Sequence, residues 1–84
     1  MPYVKQEDRK NVKIEIEGDL TEGMLNFAIT QLILKYLKQH GESYKTYNSI
    51  VGVLECAKQE FYRRMTAPYE DKKIKENGDV YQGF

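Results

Sequence analysis

The sequence has few of the residues that usually reinforce so short a chain. Cys56 is the only cysteine and His40 the only histidine among 84 residues, which excludes an internal disulfide and a metal site rich in thiols or imidazoles. A domain of this size buries only about 60% of the surface that its unfolded chain exposes, so its core is marginal. Oligomerisation or unusually good helix packing remains as the source of stability.

The sequence also lacks an excess of positive or negative charge. Lysine plus arginine equals aspartate plus glutamate at 13 each, which argues against bulk electrostatic capture of nucleic acid or of an acidic membrane. No run approaches the ~20 apolar residues that cross a bilayer. The opening MPYVKQEDRK is polar, with no apolar signal region. We therefore expect a cytoplasmic protein, or one of the host cytoplasm if it is phage-encoded.

The first 18 residues predict an arm that carries a short strand. Val12, Ile14 and Ile16 alternate with charged residues, which is the period of a half-buried strand. Because a lone strand is unstable, it would have to pair or lie on a helix. A short strand and an extended arm are both compatible with this segment.

The next stretch predicts a first helix over residues 19–40, capped by Asp19 or Thr21 and ended by Gly41. One wide apolar stripe runs along it. Met24, Phe27 and Leu34 form a second apolar line beside that stripe. A helix that is apolar on more than one side is covered on more than one side, so this line predicts the interface of a homo-oligomer, with a dimer as the first guess.

A second helix is predicted over residues 43–66, with Ser43 as its N-cap. Tyr47, Leu54 and Phe61 belong to a heptad-like seam expected to face the first helix. Pro68 either starts a short third helix over 68–77 or kinks the second one, and residues 78–84 form a tail. The fold class is thus mainly α: residues 1–84 form one small domain, an antiparallel helical hairpin with a short C-terminal helix.

Four segments resemble a family of short uncharacterised proteins found largely in phage, prophage and related microbial sequences. They are the opening MPYVKQEDR, LNFAIT from Leu25, NSIVGVLECAKQEFYRR from Asn48, and above all APYEDKKIKENGDVY from Ala67. The chain departs from that family where KNVKIEIEG replaces a helical stretch. The resemblance implies a helical fold and a microbial or viral origin, but no assigned activity.

The sequence contains no convincing set of catalytic residues. We therefore expect that the protein is not an enzyme and binds no cofactor or metal. His40 at a helix end is typical of a C-terminal turn, and Cys56 of a small buried hydrophobe. Glu55 and Glu60 are the acids that a magnesium-dependent all-helical nucleotide hydrolase would need. They lie about 140° apart around a helix, which does not suit one metal ion.

The segment from Arg63 to Tyr81 is the most promising binding region, because it concentrates groups with fixed hydrogen-bonding geometry. One hypothesis pins Glu70 or Asp71 onto Arg63 or Arg64; the alternative turns these groups toward a partner. The predicted binding residues are Arg63, Arg64, Tyr69, Glu70, Asp71, Asn77, Asp79 and Tyr81.

These patterns favour a non-enzymatic protein–protein interaction or assembly module with an unidentified protein partner. One alternative is a nucleic-acid-binding accessory protein that uses the basic patch Arg63, Arg64, Lys72, Lys73 and Lys75, although acids are interleaved with it. The magnesium-dependent nucleotide hydrolase is the second alternative.

Overall fold

A computed structural model describes residues 2–83, and it confirms a mainly α chain. Met1 and Phe84, the ends of the predicted arm and tail, lie outside the described residues. Helix α1 spans Gln6–Arg9, α2 spans Glu22–His40 and α3 spans Tyr44–Phe61. A π-helical turn follows over Tyr62–Thr66, and α4 spans Ala67–Asn77. The chain divides into two compact units, one ending at Val53 and the other beginning at Leu54.

Of the two alternatives for residues 12–18, the strand is wrong and the extended arm is consistent with the structure. Residues 12–17 have no regular secondary structure, and residues 2–83 contain no strand. Val12 and Ile14 are exposed, because no neighbouring strand offers them a surface to pair with. The short helix α1 was not predicted. Its backbone begins with the Asp8 and Arg9 N–H groups donating to the Lys5 carbonyl.

Local capping chemistry sets the ends of α2. Thr21, one of the two predicted caps, accepts a hydrogen bond from the Met24 N–H at 3.2 Å. At the other end Gly41 has a φ of 80°, a left-handed conformation that glycine adopts without steric cost. The Gly41 N–H donates to the Leu37 carbonyl at 2.7 Å and closes the last turn.

Ser43 starts α3 as predicted. Its hydroxyl oxygen accepts from the Thr46 N–H at 3.1 Å and donates to the Thr46 hydroxyl at 3.0 Å. Thr46, only 6% exposed, is the buried residue of the described chain. The short link between α2 and α3 is what a helical hairpin requires, and the packing of the two helices against each other stays a prediction.

The described residues form no buried apolar core. Among residues 2–83 no apolar side chain is buried. Seam residues of α3, including Tyr47, Leu54 and Phe61, are exposed. The sequence pattern identified apolar faces, but helical periodicity does not say which surface covers them.

Candidate functional site

An open cavity of about 550 Å³ lies in the unit that begins at Leu54. Its wall is formed by Tyr62 of the π-helical turn and by residues of α4 between Ala67 and Asn77. Residues 78–81 of the tail complete the lining. This volume falls within the ~300–1,000 Å³ of ordinary ligand pockets. The cavity is therefore the candidate site of this unit.

Pro68 explains why the helix changes its hydrogen-bonding pattern before the cavity. Proline has no N–H and its ring collides with the carbonyl four residues earlier in an α-helix. Immediately before it the Ala67 N–H donates to the Tyr62 carbonyl, five residues back, as a π-helix requires. The wider turn accommodates the proline within a continuous helical path, an outcome between the two predicted ones.

The π-helical turn also aligns Tyr62 with Glu70. Eight α-helical residues would rotate the two side chains about 80° apart, whereas seven would leave only about 20°. Because a π turn holds about one residue more than an α turn, eight residues across it rotate like seven. The Tyr62 hydroxyl accordingly donates a hydrogen bond to Glu70 Oε1.

The contact with Glu70 shifts the pKa of Tyr62. The hydrogen bond to Glu70 raises the pKa of Tyr62 above its ordinary value of 10.0, and the negative field of the same carboxylate adds to the effect. Partial desolvation and the nearby Tyr81 hydroxyl raise the Tyr62 pKa further. Glu70 thus holds the Tyr62 hydroxyl in its protonated form to a higher pH than usual.

A second turn orients the tail. Gly78 ends α4 with a φ of 89°, and its N–H donates to the Ile74 carbonyl at 2.8 Å. Asp79 Oδ1 then accepts from the Tyr81 N–H at 2.8 Å, an Asx-turn in which the carboxylate bends its own backbone. These two bonds place Asp79 and Tyr81 against the end of α4.

Five of the eight predicted binding residues line this cavity: Glu70, Asp71, Asn77, Asp79 and Tyr81. The other three are Arg63, Arg64 and Tyr69, which lie outside the lining. Sequence reasoning missed Tyr62 and Val80 as wall residues. The missing signal for Tyr62 is the π-helical turn, because an uninterrupted α-helix would turn this side chain away from Glu70.

Glu70 and Arg63, two of the residues in the predicted contact between an acid and an arginine, bond to other residues. Glu70 bonds to Tyr62, while Arg63 Nη2 pairs with Glu60 Oε1 at 2.5 Å within one helical turn. Downstream, Lys73 Nζ lies 3.1 Å from Glu76 Oε2 and 5.5 Å from the centroid of the Tyr69 ring. Two cations of the predicted basic patch are therefore neutralised locally.

The predicted oligomer interface lies in the other unit, on α2. Met24 is 42%, Phe27 64% and Leu34 50% exposed. The neighbouring stripe is only partly sheltered, with Ala28, Ile33 and Leu37 half-buried. Large apolar side chains are thus solvent-accessible on more than one side of this helix.

The structure also shows the surroundings of three residues considered for catalysis, which are His40, Cys56 and Glu55. The His40 ring stacks on Tyr36 at a centroid distance of 4.1 Å in the last turn of α2. Cys56 is exposed, so the expectation of a buried hydrophobe is wrong. Glu55 accepts from Gln59 and pairs with Lys58, which lowers the pKa of its carboxyl.

The described part of the chain shows neither a metal-binding cluster nor a membrane-spanning helix. No cluster of three or more His, Cys, Asp or Glu side chains is arranged to hold a metal ion among residues 2–83. None of the helices in the same residues combines the length and the apolar character that crossing a membrane needs.

Comparison with known proteins identifies a family and nothing more specific. No curated protein and no solved structure matches the chain. Residues 1–80 match the family described as a domain of unknown function, DUF6899, which covers both the α2 surface and almost the whole C-terminal cavity. The chain therefore belongs to the DUF6899 family.

Proposed function

We propose that this protein is a non-enzymatic interaction module that assembles with copies of itself through the apolar line Met24, Phe27 and Leu34 of α2. The observation that carries the proposal is the exposure of these side chains in a chain whose described residues bury no apolar side chain. Contiguous exposed apolar surface is uncommon on soluble monomers and marks interaction sites. A dimer is the simplest assembly that would cover it.

The size of the chain supports the same proposal. A small domain without an internal disulfide needs another source of stability, and a partner subunit is one such source beside unusually good helix packing. Seven tyrosines suit a partly exposed interface, because the ring is buried while the hydroxyl stays hydrated. A cytoplasmic location and a phage or prophage origin stay predictions.

The test measures mass in solution over a wide concentration range, by light scattering or sedimentation equilibrium. We expect the wild-type chain to associate and Phe27→Gln to shift it toward monomer, because glutamine preserves helix propensity but removes the apolar ring. Val51→Gln on α3 is the matched control, since Val51 is 66% and Phe27 64% exposed. A helical wild-type monomer at every concentration would refute the proposal.

The nucleic-acid alternative is tested in the same preparation. Binding through Lys72, Lys73, Lys75 and the two arginines would give salt-sensitive retention on DNA or RNA columns. The pairs Arg63–Glu60 and Lys73–Glu76 do not favour it, because each places a carboxylate on the cation that would contact phosphate. Phosphate release from nucleotides with magnesium tests the hydrolase alternative.

A further inference from the structure

The cavity at the end of α4 has an excess of negative charge. Its lining holds the carboxylates of Glu70, Asp71 and Asp79 against the single ammonium group of Lys73, which leaves two negative charges in excess. Lys73 is moreover held by Glu76 and by the Tyr69 ring, neither of which lines the cavity. The lining is therefore more negative than its composition alone suggests.

The helix end adds to that potential. Asn77 is the last residue of α4 and lies in the cavity wall with Gly78. The C-terminus of a helix carries about half a negative charge on its unpaired carbonyls, which favours a cation nearby. This contribution comes from the backbone and is independent of the three carboxylates.

Aromatic and apolar groups complete the wall. Tyr62 and Tyr81 line the cavity together with the apolar residues Ile74 and Val80. Two of the carboxylates accept a hydrogen bond within the site, and each uses one of its oxygens. Glu70 accepts from the Tyr62 hydroxyl through Oε1, and Asp79 accepts from the Tyr81 N–H through Oδ1. A second oxygen of each remains for a ligand.

We propose that this cavity binds the guanidinium group of an arginine side chain presented by a partner polypeptide. A planar guanidinium donates pairs of hydrogen bonds to carboxylates and stacks on aromatic rings, whereas a lysine ammonium is compact and more strongly hydrated. The methylene stem of arginine would cover Ile74 and Val80. This site is separate from the α2 surface, so it stands or fails independently of self-association.

The test titrates the full-length protein with three blocked tripeptides, acetyl-Gly-X-Gly-amide, in which X is arginine, lysine or citrulline. Binding is followed in nitrogen-15 NMR spectra through the amides of Asn77, Gly78 and Tyr81. We expect saturable shifts with arginine, weaker binding of lysine, and at least about tenfold weaker binding of citrulline, which keeps the shape but loses the charge.

Two variants probe the carboxylates without changing the local hydrogen bonds. Asp79→Asn keeps the side-chain oxygen of the Asx-turn, and Glu70→Gln keeps an acceptor for Tyr62. Each variant is expected to weaken the binding of the arginine peptide about five- to tenfold. Glu55→Gln makes the same charge change outside the cavity and should leave the affinity for the peptide unchanged. Unchanged spectra elsewhere in the chain verify the fold.

Three results would overturn the proposal. The first is equal affinity for the arginine and citrulline peptides. The second is no shift of the cavity amides at about 10 mM arginine peptide, the millimolar limit of weak binding. The third is a stronger response of the same amides to inorganic phosphate. The peptide series decides the question even if a variant fails to fold.

Discussion

Gly52 lies within α3, and a side-chain carbon added there would meet nothing within 4 Å. Glycine costs roughly 1 kcal/mol relative to alanine in a helix interior. We therefore expect Gly52→Ala to raise the free energy of unfolding by about 1 kcal/mol, measured by urea denaturation followed by circular dichroism.

A destabilised Gly52→Ala would contradict the open surroundings of this residue and would indicate a close neighbour in the assembly. Gly41→Ala provides the contrasting control. It is expected to destabilise, because Gly41 has a φ of 80° and an alanine there would be strained although its side chain also meets open space.

Tyr62 tests the geometry of the cavity wall through its titration. We expect Glu70→Gln to lower the pKa of Tyr62, because a neutral amide oxygen accepts the tyrosine hydrogen bond more weakly than a carboxylate and the negative field of Glu70 is lost. A pKa raised by folding means that the bond stabilises the fold fully below the unfolded tyrosine pKa of about 10. That stabilisation is lost as the pH rises through the folded pKa. The measurement is an NMR titration of the Tyr62 ring.

Tyr47 offers a matched control for that titration. Its hydroxyl donates to Glu42 Oε1 at 2.6 Å, and this bond raises the pKa of Tyr47 in the same way. Glu42→Gln should lower the pKa of Tyr47 and leave Tyr62 unchanged. If Glu70→Gln leaves the Tyr62 titration unchanged, the alignment across the π-helical turn is incorrect.

At the scale of elements, the π-helical turn Tyr62–Thr66 depends on the proline that follows it. We expect Pro68→Ala to restore α-helical bonding through this stretch, because alanine supplies the missing N–H and removes the ring. Tyr62 and Glu70 would then rotate to about 80° apart and separate. The readouts are NMR contacts within residues 60–70 and a Tyr62 pKa closer to its ordinary value.

Stability should not fall in this variant, since alanine is favoured over proline by about 3 kcal/mol in a helix interior. Ser43→Ala provides an element-scale comparison with the opposite sign, because it removes the cap that bonds to the Thr46 N–H. Persistence of the five-residue hydrogen bond from Ala67 to Tyr62 in Pro68→Ala would show that another residue causes the π-helical turn.

Helix ends were predictable from the sequence because their causes are local. Thr21, Ser43, Gly41 and Gly78 act within one turn, through a side-chain bond or a positive φ. For residues 12–18 the strand alternative was wrong, because a period-2 pattern forms a strand only where another strand or a helix covers it.

The candidate site was predictable in part for the same reason. Glu70, Asp71, Asn77, Asp79 and Tyr81 were found by their polar composition and short separation along the chain. Tyr62 joins them only through a change of helical register, and the burial of Cys56 was wrongly inferred because its apolar neighbours are themselves exposed.

At the scale of the whole molecule, the described residues bury no apolar side chain, so the proposed assembly should determine stability. We expect the melting temperature to rise with protein concentration, because a folded state that associates is stabilised by mass action. Thermal unfolding followed by circular dichroism over a hundredfold range of concentration measures the effect.

Phe27→Gln should melt at a lower temperature than wild type, and its melting temperature should depend less on protein concentration. Val51→Gln should keep the concentration dependence of the wild-type melting temperature. A melting temperature independent of concentration in the wild-type chain, together with a sharp cooperative transition, would mean that the single chain is sufficient for its own stability.

The π-helical turn has a consequence for chain length. Since Tyr62–Thr66 contains about one residue more than the α-helical count, a chain with one residue fewer there and alanine in place of Pro68 could run as a plain α-helix and still present its C-terminal faces in the same order. An added residue would instead rotate everything after it by about 100°. Once the proline is replaced, deletion of a single residue at this place should therefore disturb the C-terminal faces less than insertion of one.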